Sequence, residues 1–292
     1  MGRLHRILIA VLFCLAHPAQ SETGFSGDKA LDHIVNQIAF GPRSLDNPQG
    51  KQQTLAYIEQ TLTPLADKLV RQSFNYQGLT GTNLWASIES SNKKTSSARI
   101  MLGAHWDTRP LQSNHKGLVN LGANDGASGV AVLLELARIL ALSPPNVSVD
   151  FIFFDLEDMG HINYLPYAIG SKEFVKNNPE YRPSAGIIID MVCDKSLSIP
   201  REKYSQNRAK EIVDQVWKIA SSLGVKAFKR RSGTFITDDH LAFLDVGIPV
   251  IDIIHYPFPH YWHTSRDTLN NCSAESLGQV GQVVSEFIYS QR

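Results

Sequence analysis

Val147 to Phe154 is an apolar run interrupted only by Ser148 and Asp150. A strand with one face in water alternates apolar and polar residues, whereas a run this continuous has to be covered on both faces. The segment before it, Ser128–Leu142, carries Val130, Leu133, Leu134, Ala137, Leu140 and Ala141 at helical spacing, and Pro144-Pro145 closes it. Short apolar runs and longer amphipathic ones alternate along the rest of the chain. Ile100–Ala104, Ala185–Met191 and Val250–Ile254 read as further buried strands, and Val70–Tyr76 and Thr82–Glu89 as two more. Lys29–Ile38, Gln52–Leu65, Ser171–Asn177, Arg208–Leu223 and Glu275–Tyr289 read as helices, and Ser90–Ser97 as a polar, exposed turn. This order predicts an α/β protein: a single globular domain with a mixed, largely parallel central sheet flanked by helices.

In such sheets functional side chains gather at the carboxyl ends of the strands. His105 follows Ile100-Met101-Leu102, Glu157-Asp158 follow Phe151-Ile152-Phe153-Phe154, and Asp190 follows Gly186-Ile187-Ile188-Ile189. Alone, a histidine or an Asp-Gly pair is more often structural. The adjacent carboxylates Glu157 and Asp158 are different. At the end of a buried strand they repel each other and lose solvation, which costs several kcal/mol unless a cation lies beside them. Asp107 stands two places after His105, and Asp125 lies in the glycine-rich turn Asn124–Gly129. Imidazole with carboxylates is a donor set suited to zinc. Asp190 repeats the argument, as does Thr237-Asp238-Asp239-His240. The aromatic loop Phe258–Thr264 adds His263. His115, His161, His255 and His260 read as structural.

Formal net charge is +0 and the pI about 7.2, so no electrostatic grip on nucleic acid or an anionic membrane is expected. The N-terminus has three parts: Arg3, His5 and Arg6, then the apolar Ile7–Ala16, then the small-residue site Ala19-Gln20-Ser21. That is the form of a secretory signal peptide, and the apolar run is too short to span a bilayer. Residues 1–21 are therefore expected to be the leader and 22–292 the catalytic domain, secreted or periplasmic, without a membrane anchor and monomeric. Beyond the leader two cysteines remain, Cys193 and Cys272. An oxidising compartment leaves a disulfide between them open, and the lack of a Cys-x-x-Cys pattern argues against thiolate zinc.

His105-x-Asp107, Asp125-Gly126-Ala127-Ser128-Gly129, Glu157-Asp158, Asp190, Asp239-His240 and His263-Thr264 occur in an order that resembles the zinc aminopeptidase fold of the M28-type peptidases, over about residues 80 to 290. The resemblance implies that His105, Asp125, Asp158, Asp190 and His263 bind one or two zincs. It makes Glu157 the general acid/base and Asp107 a carboxylate that orients His105. Within that superfamily the chain resembles the animal-type glutaminyl cyclases and their bacterial relatives. Asp238 stands where peptidases usually carry serine, Trp262 where they usually carry tyrosine before the last zinc histidine, and Phe258-Pro259 resembles the cyclase loop. Phe153–Gly160 and Ile251–His255 resemble the bacterial members especially. There are departures: Gly160–Tyr164 lacks the tryptophan of the animal enzymes, Asp252 replaces a histidine, and Ala104 replaces a disulfide cysteine.

This branch implies conversion of the N-terminal glutamine of peptides or proteins to pyroglutamate with release of ammonia. One zinc would be held by Asp125, Asp158 and His263. Glu157, Asp190 and Asp238 would be catalytic, and Trp262, Phe258 and Ile236 would wall the substrate pocket. The alternative is a di-zinc aminopeptidase, in which His105 and Asp190 complete a second metal site.

Overall fold

The computed structural model describes residues 24–91, 98–111 and 118–291. The leader, His115 and most of the Ser90–Ser97 turn lie outside them. In chain order the elements are α1 (Gly27–Ala39), α2 (Pro48–Leu62), β1 (Lys68–Tyr76), β2 (Leu79–Ile88), β3 (Arg99–His105), α3 (Ala127–Leu142), β4 (Ser148–Phe154), α4 (Ile169–Asn177), β5 (Ala185–Asp190), β6 (Ile199–Arg201), α5 (Lys203–Arg208), α6 (Lys210–Ser222), β7 (Phe228–Ser232), α7 (His240–Leu244), β8 (Val250–Ile254) and α8 (Ala274–Tyr289).

Six strands form one sheet in the order β1-β2-β4-β3-β5-β8. β1–β2 and β2–β4 are antiparallel, while β4–β3, β3–β5 and β5–β8 are parallel. The sheet is mixed with a parallel half, as expected. Side chains alternate across it. Phe151 and Phe153 join Leu102, Ile187 and Ile253 in the core beneath α1, α3 and α8. Ile152 and Phe154 join Met101, Ile188 and Val250 on the other face, against Phe174 of α4 and Phe243 of α7. Both faces are dry, which is why β4 carries no polar alternation. Asp150, its interior charge, accepts hydrogen bonds from Ser87 Oγ (2.6 Å), Arg99 Nη1 (2.6 Å) and Tyr181 Oη (2.7 Å).

Local signals set the helix starts. The side chain of Ser26 accepts from Lys29 N at the head of α1, and that of Ser273 from Ser276 N at the head of α8. Asn47 caps α2, with Pro48 at its first position, where the missing N–H costs nothing.

Three features differ from the sequence expectation. The helix expected over Arg208–Leu223 is α6 (Lys210–Ser222), and a short helix not foreseen, α5 (Lys203–Arg208), precedes it, the two separated at Ala209, which leaves the helical region (φ −138°, ψ 41°). Neither Gly nor Pro marks the break; Ala209 is buried, and the Arg208 guanidinium is held by Asp245 Oδ1 (2.9 Å) and the Leu244 carbonyl (2.5 Å). β6 and β7 form a small parallel pair. β7 reads Phe-Lys-Arg-Arg-Ser, so it lacks any alternation that would reveal it. The short helix α7 was likewise unforeseen, starting at His240 within the acidic segment. A disulfide joins Cys193 to Cys272, tying the segment after β5 to the start of α8.

Candidate active site

The carboxyl ends of β3, β4 and β5 deliver His105, the Asp155–Asp158 segment and Asp190 to one edge of the sheet. Asp125 arrives from the turn before α3, and His263 from the loop after β8. His105 Nε2 lies 3.2 Å from Asp125 Oδ1 and 3.1 Å from Asp190 Oδ1. His263 Nε2 lies 3.4 Å from Asp125 Oδ2 and 3.0 Å from Asp158 Oδ1. Two donor groups thus share Asp125: His105/Asp125/Asp190 and Asp125/Asp158/His263. Asp125 and Asp158 are buried, and Oδ2 of each has no hydrogen-bond partner. Buried carboxylate oxygens left unpartnered beside imidazole nitrogens fit a zinc ion, whose preferred ligands they are.

The backbone at the site is held in costly conformations. Leu156 (φ 57°), Met191 (φ 52°) and His263 (φ 57°) occupy the left-handed region. Each flanks or is a site residue, and such strain persists only where surrounding packing over-determines it. Gly126 (φ 94°) is required: a β-carbon there would meet the Asp107 carbonyl oxygen at 2.5 Å. The Asp107 carboxylate accepts from the backbone N–H groups of Glu157 (3.0 Å) and Asp158 (3.2 Å). Its Oδ1 is 3.5 Å from His105 Nδ1, so its firmer hold is on the acid pair rather than on the imidazole.

Several site-building residues escaped the sequence reading. Arg43 is fully buried. Its guanidinium donates to the carbonyls of Trp106 (3.2 Å), Leu121 and Gly122 (2.9 Å), clamping the loop that leads to Asp125. Asp267 accepts from the backbone N–H groups of Asn124 and Asp125, both at 2.9 Å. Arg109 donates to the Asp158 and Gly160 carbonyls and reaches Asp158 Oδ1 at 3.4 Å. Arg43 carries no motif beyond Gly41-Pro42-Arg43. Arg109 stands only four residues after His105, a proximity that could have singled it out.

Electrostatics divide the acids. Burial opposes the charged form of Asp125, but the imidazoles of His105 and His263 and the cation of Arg43 outweigh it and hold its carboxyl below the usual range. Burial, with Asp125 beside it, raises Asp158 to about 6. Burial raises Asp190 to about 7 despite the opposing pull of His105. Glu157 is pushed well above the usual range by burial, and the charges of Asp238 and Asp158 add to that.

Beside these groups lies a cavity of about 650 Å³, which Glu157, Asp190, Asp238, Ile236, Phe258, Trp262 and His263 line. Trp262 stacks on Phe258 at 4.4 Å and on His263 at 3.7 Å between ring centroids, and Tyr167 lies parallel to His263 at 6.5 Å. His161, read as structural, lines this cavity as well. His255 accepts from Ser198 N and is buried, as a structural histidine should be. The cavity-lining Asp238 clusters with the fully buried His240 and Asp252, and His240 Nε2 lies 3.3 Å from Glu202 Oε2. Burial first and Asp238 second push Asp252 well above the usual carboxylate range.

The family model for peptidase family M28 matches residues 83–288. In three dimensions the chain is similar to the Bacteroides thetaiotaomicron glutaminyl cyclase bound to N-acetylhistamine, at 34% identity and a TM-score of 0.84, covering 92% of this chain and 99% of that one. It is equally similar to a leucine aminopeptidase precursor from Bacteroides thetaiotaomicron, at 35% identity and a TM-score of 0.84, covering 92% and 98%. The bovine glutaminyl-peptide cyclotransferase is 25% identical over 244 residues, which are 71% of this chain and 66% of the bovine one.

Proposed function

This chain belongs to peptidase family M28, and within that family we propose that it is a glutaminyl-peptide cyclotransferase, closing the N-terminal glutamine of peptides to pyroglutamate. The carrying observation is the cavity itself: Asp238 and Asp190 line it with Glu157, and Ile236, Phe258 and Trp262 wall it with apolar surface. Asp125, Asp158 and His263 would hold one zinc. Zinc bound there would supply Lewis-acid polarisation of an amide carbonyl.

The chain's own residues do the rest. Glu157, poised above the ordinary carboxylate range, takes a proton from the α-amine as its nitrogen bonds to the side-chain carbonyl carbon. It returns that proton to the amide nitrogen, which leaves as ammonia. Asp190 and Asp238 hydrogen-bond around the leaving nitrogen. The aromatic wall excludes water, which would otherwise compete as nucleophile. Residues 1–21 would direct the enzyme to the periplasm or the medium.

The second reading is a zinc aminopeptidase, favoured by the intact His105/Asp125/Asp190 group, which would complete a two-metal site. The two are separated by offering the purified protein Gln-initiated peptides and aminoacyl-anilides. Ammonia release with loss of its mass from the peptide, and intact anilides, is the expected result. Anilide cleavage with unchanged peptides would reverse the assignment. Metal analysis is expected to give one zinc per chain; two would favour the peptidase.

For Asp238→Asn, kcat/KM on Gln-peptides is expected to fall by about two orders of magnitude. An unimpaired variant would remove Asp238 from the mechanism.

A further inference from the structure

We infer that the mouth of the cavity carries a cationic subsite, formed by Arg231 and Lys203, that selects peptides with an acidic residue just after the N-terminal glutamine. The inference rests on the cyclase reading and deepens it. The cavity separates its charges by depth. Its acids, Asp125, Glu157, Asp190 and Asp238, are 3–8% exposed and lie on the floor. They suit the amino end of a substrate. The rim is different. Arg231, exposed at the end of β7, donates from Nη2 to the carbonyl of Tyr256, a lining residue, at 3.4 Å. Lys203 donates its backbone N–H to the carbonyl of Thr234 (3.0 Å) and sets its ammonium 5.2 Å from the ring centroid of Phe235. Thr234 and Phe235 both line the cavity, and Phe235 is half exposed there.

The neighbouring ion pairs, Arg201–Asp214 and Lys210–Asp214, involve neither cation. Among the described residues neither Arg231 nor Lys203 forms an ion pair with a carboxylate; their charges are held only by the Tyr256 carbonyl and the Phe235 ring. Successive α-carbons of a peptide are about 3.8 Å apart. A glutamine seated with its amine on the acidic floor thus brings the next one or two residues towards the rim, where a carboxylate would lie in the field of these cations. A basic residue there would be repelled. The half-exposed Phe235 ring would cover the aliphatic stem of a Glu side chain.

The test uses the full mature chain with zinc and three peptides that differ only at the residue after glutamine: Glu, Ala and Lys. At low ionic strength kcat/KM for the Glu peptide is expected to exceed that for the Lys peptide by about tenfold, the exposed Arg231 and the partly exposed Lys203 each contributing a few-fold. The ratio should contract towards unity in high salt, because exposed charges are screened. The double charge reversal Arg231→Glu with Lys203→Glu should invert it. Because the readout is a ratio within each protein, partial loss of folded enzyme leaves it unchanged. Equal rates at low salt, or a ratio the double variant does not move, would overturn the subsite while leaving the cyclase reading intact. Cyclisation of none of the three would overturn both.

Discussion

Glu157→Gln is expected to lower cyclisation turnover by about three orders of magnitude while zinc content stays at the wild-type level. The amide is nearly isosteric and keeps its place at the end of β4, because the Glu157 position is set by its backbone N–H to Asp107 and not by its side chain. It cannot take a proton from the α-amine. The carboxylate's surroundings support the role: burial, with the charges of Asp238 and Asp158 added, raises it well above the ordinary carboxylate range, the direction a group serving first as base and then as acid requires. Turnover of Gln-peptides and metal analysis of the same sample are the measurements. Loss of zinc together with activity would make Glu157 a ligand and transfer the proton role elsewhere.

Arg43→Met is expected to destabilise the fold by about 3–5 kcal/mol, since it removes a buried charge and leaves carbonyls without donors. That corresponds to a fall in Tm on the order of 10 °C for a domain of this size. Burial lowers the Arg43 guanidinium to about 10, against the pull of Asp267, Asp107 and Asp125. It stays protonated at neutral pH and faces the acids of the site through the loop it clamps. The variant should also bind zinc more weakly, because Asp125 loses both its fixed loop and a countercharge. Arg43→Lys keeps the charge but cannot reach the carbonyls of Trp106, Leu121 and Gly122 at once, so it should recover only part of the loss. Thermal unfolding and zinc titration of the two variants decide this. An unchanged Tm in Arg43→Met would show that the clamp contributes nothing.

Much of the architecture was legible from local patterns. The apolar runs at β4, interrupted only by Ser148 and Asp150, and at β5 predicted strands dry on both faces, and Phe151/Phe153 and Ile152/Phe154 do divide between two cores. What escaped were elements whose residues carry no periodicity of their own. β7 is mostly basic, and the break at Ala209 depends on contacts 36 and 37 residues away in sequence.

At the site the difference lies in range. The sequence by itself determined the strand ends at which His105, Glu157, Asp158 and Asp190 emerge, because strand termination is a local property of apolar runs and the polar residues that end them. Only the tertiary structure decided that Asp125 stands within 3.4 Å of both histidines, which are 158 residues apart in number. It alone seated Arg43, from outside the matched family region, against the loop that leads to Asp125, and set Arg231 against Tyr256 and Lys203 against Phe235. Charges act through space on whatever packing brings near them. A chain read in one dimension shows which charges exist, while burial and separation decide which of them act together.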